Sequence, residues 1–208
     1  SKSKGNVVNP WDHFNKEGTD AIRWYMTSQS APWNPMNFDP NGVRETYAKM
    51  FLTLWNVHRF HLDYAILDNF DYNKDFIPVE DRGELDRWIL SKISSVAESY
   101  HNDYVSWQFH KAARDLENFV INDLSNWYVR RSRRRLWEEA ESHDKRACQF
   151  TLHEVLLNVS KLMSPIAPFM PDKIHFDLTG TSVHTADWPL GSDLVSRDLP
   201  PQDLELEK

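Results

Sequence analysis

The chain has 208 residues, 40% of them hydrophobic and 26% charged, a composition that excludes a disordered or collagen-like protein. Its one cysteine excludes an internal disulfide and a multi-cysteine zinc site, and its formal net charge of −7 disfavours an evenly basic nucleic-acid-binding surface. No apolar run is long enough to span a membrane and no signal segment begins the chain, so we expect a cytoplasmic protein with no membrane partner.

Residues 1–38 are predicted to form a loop followed by two short connective helices. Residues 1–8 are small, polar and basic, which is typical of a loop. An Asn-Pro pair can begin the first helix and Gly18 can end it, while Thr19 can cap the second helix. Prolines at positions 32, 35 and 40 then disfavour a long helix in the connector.

Residues 39–181 carry apolar side chains at helical spacing in four long stripes. Asp39 followed by Pro40 is a good start for the first of these helices, and a shorter helix is predicted at 168–178. Four one-sided helices with short connections bury their stripes best as an antiparallel bundle, so the fold class is mainly α. The clearest stripe consists of Leu85, Trp88, Ile89, Ile93, Val96, Ala97 and Tyr100.

Residues 182–208 differ from the bundle in composition. We expect a short C-terminal strand at residues 182–188. From Ser192 onward the chain is acidic and contains prolines, which is typical of a weakly ordered tail.

The opening loop combines groups that suit phosphate binding. Two lysines, two serines and a Gly-Asn pair fall within the first six residues. Lysine supplies a compact charge, while hydroxyls and free backbone amides supply hydrogen-bond donors. On its own such a short run is also typical of an unstructured chain end, so the pattern alone leaves both interpretations open.

A cluster of five arginines within six positions dominates the third long helix. At about 100° per residue, the five side chains span roughly 200° around the helix. Guanidinium groups bind phosphate bidentately and flanking aromatic rings can stack on bases, so the cluster predicts RNA binding. The alternative is an internally paired helix, with Arg134 bound to Glu138 and Arg135 to Glu139. The candidate RNA contacts are Trp127, Tyr128, Arg130, Arg131, Arg133, Arg134 and Arg135.

Several segments of the sequence resemble the class I aminoacyl-tRNA synthetases. Residues 1–33, SKSKGNVVNPWDHFNKEGTDAIRWYMTSQSAPW, are similar to the region at the end of and following their Lys-Met-Ser-Lys-Ser signature, whose first two residues are missing here. The RWY at 23–25, the APW at 31–33 and the SVHTADWP at 182–189 resemble the isoleucine-specific members. The resemblance spans most of the chain.

The resemblance implies a bundle of the class I anticodon-binding type, with the anticodon arm of isoleucine tRNA as partner. It also implies that Lys2 stabilises the charge that develops on the ATP phosphates as isoleucine attacks. ATP and magnesium are then substrates of the full enzyme, and no cofactor is expected in this chain. The implied ATP-binding remnant consists of Ser1, Lys2 and Ser3.

Other parts of such an enzyme are not found in the sequence. It contains no His-x-Gly-His motif and no alternating strand–helix pattern of a nucleotide-binding sheet. We therefore expect no complete catalytic site, no aminoacylation by this chain alone, and a separate catalytic domain of the same enzyme as a second partner.

Two alternative functions remain open from the sequence. One is the same domain of a valine or leucine enzyme, which the RWY and APW segments disfavour. The other is a helical protein-interaction module without RNA binding, whose arginines pair internally. No metal site is predicted, because His58 and His61 have only Asp63 nearby as a third ligand.

Overall fold

The computed structural model describes residues 8–74, 76–138 and 142–190. Within these ranges the chain is α-helical and contains no strand. The prediction of a mainly α fold is therefore confirmed. The helices are α1 (Trp11–Phe14), α2 (Thr19–Ser28), α3 (Pro40–Thr46), α4 (Leu52–Leu67), α5 (Glu84–Val105), α6 (Phe109–Asn118), α7 (Arg130–Trp137), α8 (His143–Met163) and α9 (Phe169–Thr179).

Two π-helical segments merge shorter helices into long ones. Tyr47–Phe51 joins α3 to α4, and Phe119–Val129 joins α6 to α7. The first long helix begins as its sequence predicts, because the carboxylate of Asp39 accepts a hydrogen bond from the backbone N–H of Asn41 at 2.9 Å. Together with α5 and α8, these two continuous helices form the four long elements of the bundle.

Contacts at one end of the bundle establish its antiparallel arrangement. Arg135 near the end of α7 bonds Asp86 near the start of α5, with 2.6 Å between Nη2 and Oδ2. Lys145 near the start of α8 donates to Asp68, just after α4, over 2.6 Å. The ends of α4 and α7 therefore lie beside the starts of α5 and α8, and we call this the distal end.

The N-terminal helices are attached to the opposite, proximal end. Arg23 on α2 donates to the carbonyl of Ile166, just after α8, at 2.6 Å. Arg114 on α6 donates to the carbonyl of Ser28 at 2.6 Å. The buried rings of Trp24 and Tyr25 belong to the same apolar core as the four long helices. The predicted boundary at residue 38 therefore crosses a continuous core, and the division into domains stays a prediction.

The strand predicted at residues 182–188 is wrong. Val183–Thr185 form a 3₁₀ turn instead. Asp172 accepts hydrogen bonds from the Ser182 hydroxyl at 2.6 Å and from the Val183 N–H at 2.9 Å, and these bonds hold the segment against α9. A strand also needs a neighbouring strand, and the part of the chain described here offers none. The predicted tail, from Ser192 onward, lies outside the described residues.

In the same ranges, no helix combines the length and apolarity that a bilayer span requires.

Candidate nucleic-acid interface at the distal end

The arginine cluster lies on the last two turns of a helix that runs from residue 109 to residue 137. Its π-helical middle segment contributes Phe119, Val120 and Leu124 to the core. The same packing continues into α7 through Ser132 and Leu136, both of which are buried. Because one face of α7 is fixed in this way, its arginines divide into an inner and an outer set.

Arg135 belongs to the inner set and is held by two carboxylates. Its guanidinium bonds Asp86 through Nη1–Oδ1 at 2.8 Å and Nη2–Oδ2 at 2.6 Å, which is a bidentate pair. It also bonds Asp144 through Nε–Oδ2 at 2.8 Å. The Asp86 side chain is 0% exposed and that of Arg135 is 17% exposed. Burial lowers the pKa of Arg135, but hydrogen bonds and charge from Asp86 outweigh it and raise the pKa above its ordinary value.

Tyr128 is likewise an inner residue. Its ring is fully buried, and its hydroxyl donates to Asp86 Oδ1 over 2.7 Å. Burial, followed by the charge of Asp86, raises the pKa of this phenol well above its ordinary value. Two of the seven candidate RNA contacts, Tyr128 and Arg135, therefore have internal partners and do not form part of an open surface.

The outer set consists of four exposed arginines on one side of α7. In helical projection they cover an arc of roughly 160°, on the side of the helix away from the core. None of them is bonded to a carboxylate among residues 8–74, 76–138 and 142–190. The alternative pair between Arg134 and Glu138 is therefore not formed, while Glu139 lies outside the described residues. The outer arginines are Arg130, Arg131, Arg133 and Arg134.

Two tryptophans share the outer surface with these arginines. Trp127 is 41% exposed and Trp137 is also exposed. The guanidinium carbon of Arg131 lies 3.7 Å from the centre of the Trp127 ring, a cation–π stack that fixes this arginine more firmly than its neighbours. The outer surface thus combines exposed guanidinium groups, without a carboxylate partner in the described ranges, with a stacked ring. Guanidinium groups hold phosphates and flat rings hold unstacked bases.

Other candidate residues have different outcomes. Ser1, Lys2 and Ser3 lie outside the described residues, so their assignment as an ATP-binding remnant stays a prediction. His58 bonds Asp177 at 3.1 Å and His61 faces His153 at 3.4 Å. Across the described ranges, no group of three or more histidine, cysteine, aspartate or glutamate residues could hold a metal ion.

Sequence reasoning missed the residues that hold the arginine helix in place. Asp86 is 49 positions away from Arg135, and Asp68 is 77 positions away from Lys145. Periodicity reports which side of a helix is apolar, but it does not report which polar residue of another helix will lie opposite. Asp86 is an acidic residue in the first turn of α5, where acids are common in any helix. Its burial, which marks it as a partner for Arg135, is visible only in the fold.

The helix bundle corresponds to a known family of domains. Residues 86–206 match the family model described as the anticodon-binding domain of tRNA ligase. The crystal structure of the Agrobacterium radiobacter K84 agnB2 LeuRS–tRNA–LeuAMS ternary complex is similar over 95% of this chain and 22% of that chain, with a TM-score of 0.70 and 20% sequence identity. This likeness confirms the predicted fold of the class I anticodon-binding type.

The chain belongs to the family of anticodon-binding domains of tRNA ligases. It is 44% identical to the isoleucine–tRNA ligase of Porphyromonas gingivalis over 191 residues, covering 91% of this chain and 17% of that enzyme. It is 42% identical to the isoleucine–tRNA ligase of Thermus thermophilus over 196 residues, covering 91% of this chain and 19% of that enzyme. The predicted resemblance to the isoleucine branch is confirmed, and the chain spans less than a fifth of the length of these relatives.

Proposed function

We propose that the chain binds the anticodon arm of isoleucine tRNA through the outer face of α7, as one part of an isoleucine–tRNA ligase. The observation that carries this proposal is the group of four exposed arginines on one side of the helix, none of which bonds a carboxylate among the described residues. The relatives described above support the choice of isoleucine over valine or leucine.

The overall charge of −7 is compatible with RNA binding when the cations are gathered in this way. A local cluster of guanidinium groups binds phosphates and releases counterions even in an acidic protein. Salt largely screens the acidic side chains that lie more than about 10 Å from the bound phosphate. In this proposal Arg130, Arg133 and Arg134 contact the RNA backbone. Arg131, stacked on Trp127, offers a flat surface to an unstacked loop base.

The proximal end is proposed to face the remainder of the ligase. Trp11, Trp33, Trp107 and Phe169 are strongly exposed there, as expected of rings that another domain covers. In the whole enzyme Lys2 would act on the phosphates of ATP, with magnesium as co-substrate, and the RNA surface lies at the opposite end of the bundle. The chain alone is then inactive in aminoacylation, and a cytoplasmic location remains a prediction.

A filter-binding titration with two charge-matched variants tests the RNA surface. The first variant replaces Arg130, Arg131, Arg133 and Arg134 with glutamine. The control replaces four exposed cations elsewhere in the chain, Lys16, Lys49, Arg59 and Lys111, with glutamine. Both variants lose the same charge, so a difference between them reports the location of the cations and not the net charge of the protein.

We expect the α7 variant to lose affinity for isoleucine tRNA by at least about tenfold. The slope of log affinity against log salt should become shallower by the amount that corresponds to roughly three to four lost phosphate contacts. The control variant should retain most of the affinity. Equal losses in the two variants, or equal binding of isoleucine, valine and leucine tRNA by the parent chain, would contradict the proposal and favour a protein-interaction module.

A further inference from the structure

A cavity beside the distal end has flat rings along part of its wall. It has a volume of about 550 Å³ and lies between the end of α4, the connector after it, the middle of α8 and the end of α9. Four of its lining side chains are aromatic or imidazole rings, and a cavity of this size can accommodate one nucleoside. The rings are those of His61, Phe70, Tyr72 and His153.

The ring wall of this cavity is built before any ligand arrives. Tyr72 stacks on His153 with 4.3 Å between ring centres and 16° between planes, and on Phe150 with 4.5 Å and 27°. Beneath it, the buried carboxylate of Glu154 bonds Arg82 and the Tyr72 hydroxyl. A preformed flat wall favours a planar ligand because little conformational entropy is lost when the ligand stacks on it.

The polar groups of the cavity suit a base edge and do not suit a phosphate. Asn69 and Asn73 line it; the Asn73 side chain bonds the carboxylate of Asp71, while the side-chain amide of Asn69 makes no hydrogen bond to any other described residue. The carboxylates of Asp71 and Asp177 also line it, whereas lysine and arginine do not appear among its described lining residues. An amide offers both a donor and an acceptor, which is what the Watson–Crick edge of an unpaired base requires.

The imidazoles of the cavity are uncharged near neutral pH. Burial lowers the pKa of His153 to about 4, and burial, followed by the neighbouring His153, lowers the pKa of His61 well below its ordinary value. Neutral rings stack on a base without the desolvation cost of a buried cation. The wall therefore presents a nonionic surface at physiological pH.

A short chain of hydrogen bonds connects the cavity to the arginine helix. Lys145 donates to the carbonyl of Glu138, at the end of α7, over 2.8 Å and to Asp68 over 2.6 Å. Gln149 on the next turn of α8 donates to the other carboxylate oxygen of Asp68, also at 2.6 Å. The residue after Asp68 is Asn69, which lines the cavity. The ring-lined cavity and the RNA surface thus share one rigid end of the bundle.

We propose that this cavity accepts a single unpaired base of the anticodon loop while the outer arginines hold the adjacent phosphates. This inference rests on the proposed function and adds to it a base-selective site formed by rings and amides. The base enters without its phosphate, stacks on the Tyr72–His153 wall, and hydrogen-bonds through its edge to Asn69 or Asn73.

Filling the cavity from α4 tests the site without removing any of its contacts. Ala65 lines the cavity, so Ala65→Leu occupies part of its volume and keeps a residue that favours helix. Asn56→Leu places the same side chain on the exposed surface of the same helix, outside the cavity, and is the matched control. Asn73→Ala, at an exposed position in the connector, is a second variant that removes one amide and leaves the rings in place.

The probe is the synthetic anticodon stem-loop of isoleucine tRNA, intact or with one abasic site at each loop position in turn. We expect one abasic position to weaken binding to the parent chain by about tenfold, the magnitude of a lost base stack. Ala65→Leu should weaken binding of the intact RNA to a similar extent and should show no further loss with that abasic RNA. Asn73→Ala should lose less affinity, and Asn56→Leu should behave as the parent.

The two proposals fail in different ways. If Ala65→Leu and Asn73→Ala both bind every RNA as the parent does, the cavity site is overturned while RNA binding by α7 stands. If Ala65→Leu loses the same affinity for the intact RNA and for every abasic RNA, the cavity site is also overturned. If the parent chain binds none of the RNAs, both proposals are overturned.

Discussion

The inner and outer faces of α7 carry the same type of residue in opposite environments. On the inner face, Arg135 is enclosed by Asp86 and Asp144 and takes part in the packing of three helices. On the outer face, Arg130, Arg131, Arg133 and Arg134 are exposed and have no carboxylate partner in the described ranges. The difference shows that an arginine-rich run has no single meaning, because burial and partners decide whether a guanidinium stabilises the fold or remains available for a ligand.

The largest expected effect is on folding stability when the inner arginine is removed. Arg135→Ala leaves the buried carboxylate of Asp86 without its bidentate partner. Among the described side chains, the Tyr128 hydroxyl is then the one donor that remains to it. We expect a loss of about 3–5 kcal/mol in the free energy of unfolding, measured by urea denaturation. The outer control Arg134→Ala should change stability by no more than about 0.5 kcal/mol.

Similar stabilities for these two variants would break the comparison between the faces. Such a result would mean that, in the Arg135→Ala variant, water stabilises the charge of the Asp86 carboxylate as well as Arg135 does in the parent chain. The isosteric variant Asp86→Asn separates this possibility from a general loss of packing, because it removes the charge and keeps most of the side-chain volume. It should retain the compact bundle while it loses part of the stability.

The second effect is a change of about 3 kcal/mol in the free energy of unfolding, which arises from the titration of the buried His153. The pKa of His153 is about 4 in the folded chain because of burial, against 6.5 for an exposed histidine. The unfolded chain therefore binds more protons between pH 6.5 and 4. The stability contributed by the neutral ring is fully present above about pH 6.5 and is lost as the pH falls towards 4. Urea denaturation at a series of pH values measures this loss.

The same pH series distinguishes the outer face from the buried ring. Arginines keep their charge throughout this range, so RNA affinity per folded chain should not change between pH 6.5 and 8. A steep change in affinity above pH 6.5 would show that titrating groups, and not the outer arginines, control RNA binding.

The sequence predicted the elements better than it predicted their mutual contacts. The stripe of Trp88, Ile89, Ile93, Ala97 and Tyr100 is buried as expected, because helical periodicity is a local property of the chain. The pairing of helices was predicted only as an antiparallel arrangement. Which carboxylate would lie opposite which basic side chain depends on how each helix is rotated about its own axis, and no local pattern encodes that rotation.

Element boundaries were predicted less well for a related reason. The start of the third long helix is one example, because Trp107 adopts a left-handed backbone with φ of 61° and α6 begins only at Phe109. The expected strand at residues 182–188 is replaced by a turn bound to Asp172, a partner that only the fold brings close. Five of the seven predicted RNA contacts lie on an outer surface, while Tyr128 and Arg135 were included because sequence does not distinguish the two faces of a charged helix end.

The smallest expected effect is the coupling between Trp127 and Arg131 on the outer face. The guanidinium of Arg131 lies 3.7 Å from the ring centre, but the ring is 41% exposed, so water competes for the cation. A double-mutant cycle with Trp127→Leu and Arg131→Gln should give a coupling of about 0.5–1 kcal/mol in unfolding free energy. The cycle removes the separate contribution of the Trp127 contact with Trp88, because that contact is lost in both variants that lack Trp127.

The size of this coupling decides whether the stack belongs with the outer arginines or with the inner pair. A value near that of the Arg135–Asp86 interaction would assign Arg131 to the fold and leave three arginines for RNA. A value near zero would mean that Arg131 is as mobile as its neighbours, and the flat surface that we assign to a loop base would not exist in the free protein. A coupling between these limits fits a side chain that is oriented in advance of binding and still has one face open to a ligand.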